Sequence, residues 1–353
     1  MKALVYTGVQ KLAYREEKNP VETPGESIVK VHASGICGSD MHAYHGKDER
    51  RNPPLILGHE VSGIIQKGKY KDKIVVLNPL IACDKCDYCI NKREHLCPDR
   101  TMVGMSKPLQ REGGLAEFIS VPDKNIFTTP IELDLKEAAL TEPTAVSVHA
   151  VLLSEENIKK KLSDCKILIQ GAGAIGLLCG LILSKEKKCK NIMVSDPNKL
   201  RLDECSKYLE ANFVSPKDKQ IDENGFDIIF DTVGLELSRQ QAIHSIKPGG
   251  TIIHVGLTQP AGAFNFRKLT IQEVTVVGTY CYTNKDFKKS IDLLTNKKLG
   301  SLSWINYREL KEGARAFKEI HNGTCISPKI ILIPWKFIIY LLFTVKFTVK
   351  NYV

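Results

Sequence analysis

The sequence predicts an α/β protein in two parts: a partly open, irregular β-barrel with long loops, and a doubly wound parallel sheet. Three observations predict this. Residues 1 to about 130 hold short apolar runs broken by Gly and Pro, with no strand–helix–strand rhythm. From Lys166 onward, apolar strand-like runs alternate with helix-length segments. At the start of that region a glycine-rich turn, Gly171-Ala172-Gly173-Ala174-Ile175-Gly176, follows a strand and opens a helix. The 353 residues suit two domains better than one.

In the first part, Ala3–Tyr6 reads as the opening strand. Ser27–Ala33 alternates apolar and polar, and Val61–Gln66, Lys73–Leu77 and Phe118–Val121 follow as further strands. Within Leu135–Leu153, Glu142-Pro143-Thr144 leads into Ala145–Leu153, which has a helix-compatible pattern. Pro143 sits well in its first turn, where a missing N–H costs little, and Glu142 precedes it. In the second part, strands are expected at Lys166–Gln170, Asn191–Ser195, Asp227–Asp231, Thr251–Gly256 and Glu273–Tyr280. Helices are expected at Leu177–Ser184 and Ser238–Ile246. Phe287–Leu294 and Leu310–Ile320 read as helices, and Lys329–Ile333 as a closing strand.

The stretch Gly35–Glu60 concentrates chemistry. Cys37 offers a soft thiolate and His59 an imidazole, with the carboxylate Glu60 next to it; Zn²⁺ accepts all three ligand types. Gly35 and Gly38 bracket the cysteine and Gly58 precedes the histidine, which predicts tight turns at each place.

Cys83, Cys86, Cys89 and Cys97 follow the spacing C-x2-C-x2-C-x7-C. Each short step folds two thiolates onto one ion, and four thiolates leave no open position, so a structural zinc is expected. An iron–sulfur cluster also uses four cysteines, but with other spacings. The crowding of four of the eleven cysteines here is unlike a secreted disulfide framework.

In the glycine-rich turn, Gly171 permits the bend. Gly173 lets backbone approach a pyrophosphate, Gly176 lets helix pack on strand, and Ala174 and Ile175 between them belong to the expected cofactor-binding turn. Asp196 lies 20 positions after Gly176, where a carboxylate accepts hydrogen bonds from ribose hydroxyls and repels a 2′-phosphate. NAD is therefore expected over NADP. Arg201 and Lys199 nearby are the counterweight, since a cation can accommodate that phosphate.

The net charge of +10 is spread over scattered lysines, so no nucleic-acid partner is expected. Met1-Lys2 leads directly into a strand without a secretory signal, and a cytoplasmic location is expected. The apolar run within Trp335–Val353 is shorter than the ~20 residues a bilayer span needs, so no membrane partner is expected. It reads as an extra strand, a packing arm or a stretch beyond the natural end of the fold.

Taken together, Gly35-Ile36-Cys37-Gly38-Ser39-Asp40, Gly58-His59-Glu60, the four clustered cysteines, and Gly171–Gly176 with Asp196 resemble the zinc-containing medium-chain dehydrogenase/reductase superfamily over residues 1–334. Glu142-Pro143 resembles its sorbitol, butanediol and sugar-alcohol-phosphate dehydrogenase branch. The resemblance implies a GroES-like catalytic domain interrupted by a Rossmann domain. The implied divisions are 1–143, 144–282 and a return at 283–334, with 335–353 as a tail.

It also implies that Cys37, His59 and Glu142 hold a catalytic zinc, with Glu60 as an alternating ligand or a group beside it. Ser39 would touch the substrate hydroxyl, and His42 would pass its proton to solvent. The implied reaction is reversible, NAD-linked oxidation of a secondary alcohol: a polyol, vicinal diol, sugar-alcohol phosphate or an amino alcohol such as threonine. Tyr44 and His45 line the pocket or sit at its rim. A homodimer or homotetramer is implied, with Glu273–Tyr280 at a contact. Two departures stand out: Val61–Val76 is shorter than usual, and Cys281 stands where polyol dehydrogenases often carry arginine. The competing readings are a zinc-dependent nucleic-acid or interaction protein and a zinc-free quinone reductase of the same fold.

Overall fold

The computed structural model describes residues 1–219 and 221–335. A seven-stranded sheet forms the barrel. Its path runs Ile126–Thr128, Ile74–Leu77, Glu60–Lys67, Glu26–Gly35, Lys329–Ile333 and Ile305–Glu309, and Phe118–Pro122 pairs with Glu26–Gly35. Lys2–Gly8, Lys11–Glu16 and Leu55–Ile56 make a smaller sheet against it. The chain thus leaves the barrel for the second sheet and returns to it with its last two described strands.

Six parallel strands make the second sheet, in the order Asn212–Val214, Ile192–Ser195, Ile167–Gln170, Phe226–Asp231, Ile246–His254 and Thr275–Gly278. Numbered along the chain this is 3-2-1-4-5-6, the Rossmann arrangement. Its central strands are buried along their whole length because helices cover both faces, which explains their unbroken apolar character. Strand order reverses between Ile167–Gln170 and Phe226–Asp231, and a crevice opens beyond their carboxyl ends.

The helix after Gly173 runs Ala174–Leu181 and continues through a wider π-type turn, Ile182–Glu186, so it starts earlier than the apolar run suggested. Leu135–Leu153 divides into Leu135–Ala138 and Thr141–Glu156, with both Glu142 and Pro143 inside the first turn of the longer helix. Thr275–Gly278 is the outer strand of its sheet and shorter than Glu273–Tyr280.

Trp335 donates its indole N–H to Val31 O at 2.8 Å and packs edge-on to Phe118. The rest of the expectation for the tail lies outside the described residues. Among the described residues, no helix is long and apolar enough to cross a membrane.

Candidate active site and metal centres

Strand Glu26–Gly35 ends at Cys37, which caps the helix Gly38–Tyr44. The Ser39 N–H approaches Cys37 Sγ at 3.5 Å, and the Cys37 N–H donates to Asp40 Oδ2 at 3.0 Å. Gly58, at φ +94, turns the chain so that His59 and Glu60 enter the neighbouring strand beside Cys37. One ligand atom from each of Cys37, His59 and Glu60 lies within 4.8 Å of the others. His59 Nδ1 faces Asp40 Oδ1 at 3.5 Å, while Nε2 is 3.5 Å from Ser39 Oγ. A carboxylate behind one ring nitrogen turns the other toward an ion. His59 Nδ1 and Asp40 Oδ1 are buried without a hydrogen bond of ordinary geometry, and this donor set of thiol, imidazole and carboxyl fits Zn²⁺.

Glu142 lies outside that set and lines the same cleft. Burial pushes its carboxyl up to about 7, with the Glu60 charge adding to the rise. Burial acts the same way on Asp40, but His59, Arg51 and the Cys37 N–H outweigh it and hold that carboxyl down at about 2.

Glycine does different work here from the turns expected on both sides of the cysteine. Gly35 lies within a strand, and a Cβ there would stand 1.8 Å from Glu60 Oε2. Its missing side chain is the room Glu60 occupies. Gly38 has nothing within 4 Å of such a Cβ.

Two buried cations that composition and spacing did not flag complete the site. Lys329, on the last described strand, donates to both Glu60 oxygens at 2.6 and 2.7 Å and to Ile36 O at 2.9 Å. Arg51 is buried beside Ser39 and Asp40. Asp40 had a legible signal, its position three residues after Cys37 in a capping box. Lys329 is remote in sequence from its partner and had none.

The cleft holds about 390 Å³. Cys37, Ser39, His42, His59, Glu60 and Glu142 line it, together with Ile175 from the helix Ala174–Leu181 and Thr232, Val233 and Val255 from the loops after two strands of the parallel sheet. His42 is half-buried, and burial lowers its pKa, which favours the neutral, proton-accepting ring. His45 and Cys281 also line the cleft, whereas Tyr44 is buried against Phe317.

On the nucleotide side, Gly171 has φ +102, a Cβ on Gly176 would meet Gly171 O at 1.9 Å, and Gly173 faces open space. These are the three demands of a pyrophosphate turn. Asp196 accepts from the Ala172 and Asn198 N–H groups at 2.8 Å each, which anchors it beside that turn. A carboxylate has about four acceptor positions, so hydroxyls can still be accommodated. Arg201 approaches Cys325 O at 3.5 Å, and Lys199 pairs with Asp218. The turn and its acidic neighbour fit a dinucleotide.

The four clustered cysteines converge, with their sulfurs within 4.8 Å of one another. Cys86–Cys89 and Cys83–Cys89 sulfurs are 3.5 and 3.9 Å apart, and none is in a disulfide. A tetrahedral zinc with sulfurs at ~2.3 Å requires separations of about 3.8 Å, so this set fits one ion. The Lys85 and Cys86 backbone N–H groups lower the Cys83 thiol to about 6.

The chain belongs to the zinc-containing medium-chain alcohol dehydrogenase family: residues 23–131 match the alcohol dehydrogenase GroES-like domain and residues 174–296 the zinc-binding dehydrogenase domain. Among its relatives, the probable D-xylulose reductase A of Aspergillus clavatus is 29% identical over 357 aligned positions, covering 93% of this chain and 96% of the relative. The crystal structure of galactitol-1-phosphate dehydrogenase from Escherichia coli superposes with TM-score 0.80 at 25% identity, covering 95% of this chain and 100% of that one. Alcohol dehydrogenase TADH from Thermus sp. ATN1 shares the fold, with TM-score 0.85 at 23% identity over 94% of this chain and 99% of its own.

Proposed function

We propose that this oxidoreductase transfers a hydride between NAD and a secondary alcohol, with a polyol, vicinal diol or sugar-alcohol phosphate as substrate. The observation that carries the reading is the Cys37–His59–Glu60 cluster on the wall of the cleft facing Ile175, Thr232 and Val233. The names of its relatives, a D-xylulose reductase and a galactitol-1-phosphate dehydrogenase, support the substrate class.

Cys37 and His59 hold the catalytic zinc, with Glu60 and Glu142 as the carboxylates available to it. Held there, a zinc ion would supply the positive charge that acidifies a hydroxyl, and a bound NAD would supply the hydride acceptor. Ser39 orients the substrate oxygen and takes its proton. His42, whose pKa burial lowers, passes that proton outward. Cys83, Cys86, Cys89 and Cys97 hold a second, structural zinc. Gly171–Gly176 seat the pyrophosphate, Asp196 the adenosine ribose, and Arg201 borders that end of the site. Two chains pair along Thr275–Gly278, a pairing that solution mass tests.

A screen for NAD reduction over polyols, diols, their phosphates and threonine is expected to find a polyol-like substrate, with about two zinc ions per chain by metal analysis. Activity on none of them, or full activity after Cys37→Ser, overturns the reading.

A further inference from the structure

We infer that Arg51 is a positioning residue that sets the orientation of the Ser39 hydroxyl, an inference that rests on Ser39 as the group contacting the substrate oxygen. The Arg51 side chain is fully buried, and its fork closes on both oxygens of Ser39. Nη2 donates to Ser39 Oγ at 3.2 Å and Nη1 to Ser39 O at 3.2 Å. The remaining contacts fix the guanidinium: Nη1 to Asp48 Oδ2 at 2.5 Å, Nε to Gly104 O at 3.1 Å, and Asp40 Oδ1 at 3.9 Å from Nη2.

A guanidinium has five donors and no acceptor. Its N–H therefore fills one lone pair of Ser39 Oγ and cannot receive the Ser39 hydrogen. That leaves the hydroxyl one hydrogen and one lone pair, with His59 Nε2, at 3.5 Å, on the side of the cleft. The clamp thus presents the serine to the cleft with one donor and one acceptor position, the equipment needed to receive and release a proton. Burying a cation is costly, and an apolar residue of similar volume often stabilises a fold as well. A planar fork does what an apolar residue cannot: it specifies direction at two oxygens of one residue.

The test is a double-mutant cycle of Arg51→Lys with Ser39→Ala, followed by kcat and KM, with zinc content and thermal midpoint checked for each protein. Lysine keeps the charge and loses the fork. The expected result is a loss of about ten- to a hundredfold in kcat for Arg51→Lys with KM for NAD unchanged, and no further loss when Ser39 is already alanine. A crystal structure of Arg51→Lys is expected to show Ser39 Oγ turned from its place. Equal losses in both backgrounds, or Ser39 Oγ unmoved, overturn the inference. If Arg51→Lys does not fold, Asp48→Asn, which releases one anchor of the fork, goes through the same cycle and structure determination. A wild-type chain inactive on every alcohol defeats the proposed reaction instead, and the Ser39 rotamer still decides the clamp.

Discussion

Lys329 grips both carboxylate oxygens of Glu60, at 2.6 and 2.7 Å, across 269 positions of sequence. The pair is almost wholly buried, with side-chain exposures of 4% and 1%. It ties the returning strand of the barrel to the wall of the cleft. Lys329→Met leaves a buried carboxylate without its cation, and a loss of about 3–5 kcal/mol is expected in chemical denaturation. Glu60→Gln added to Lys329→Met is expected to recover much of it. Wild-type stability in the single variant would show that the pair is idle.

Gly35→Ala is expected to push Glu60 off Lys329. The new Cβ would stand 1.8 Å from Glu60 Oε2 and 3.0 Å from its Cδ, and the carboxylate has little freedom to retreat. The readout is a lower thermal midpoint together with loss of zinc from the Cys37–His59 centre. A variant with unchanged midpoint and metal content sinks this account of the glycine.

Cys97→Ser is expected to drop zinc content from about two ions per chain to about one, because four thiolates close the structural shell. Cys97 is fully buried among the other three cysteines, so the folded lobe loses protease resistance as well. Retention of both ions means the four sulfurs are not a zinc site.

Asp196→Ala is expected to raise KM for NAD on the order of tenfold and to improve the relative use of NADP, since a charged acceptor for ribose is lost. Steady-state kinetics with both cofactors tests this. A wild-type protein that uses both equally contradicts the role given to Asp196.

Acid is expected to destabilise the Rossmann sheet through Asp231. Burial pushes its carboxyl up, but the His254 ring at 3.0 Å, the Gly234 N–H and Ser238 together outweigh burial and hold it below the usual carboxylate range. A carboxyl whose folded pKa lies below its unfolded value stabilises above the unfolded value, near 4, and loses that contribution as pH falls through the folded value. Unfolding free energy measured from pH 6 to 3 should fall more steeply for wild type than for Asp231→Asn. Parallel curves count against the assignment.

Metal-ligand spacing was legible because it is local. Cys83–Cys97 fold onto one point through short steps, and Gly171–Gly176 makes its turn within six residues, so the ligands and the reason for each glycine can be read from neighbours. Strand and helix existence was legible in the same way, from periodicity. The start of the nucleotide-side helix was not, since it begins at Ala174, ahead of the apolar run from Leu177 that marked it in the sequence.

The sequence by itself determined the two-part α/β architecture, the four-cysteine cluster and the nucleotide turn, all carried by residues close along the chain. Tertiary structure alone decided that Gly35 is empty to admit Glu60, and that Lys329 and Arg51 are buried against the site. The physical reason is distance along the chain. A buried charge is tolerated only when a partner meets it in space, and which partner arrives depends on how strands return to the barrel, a fact no local pattern records.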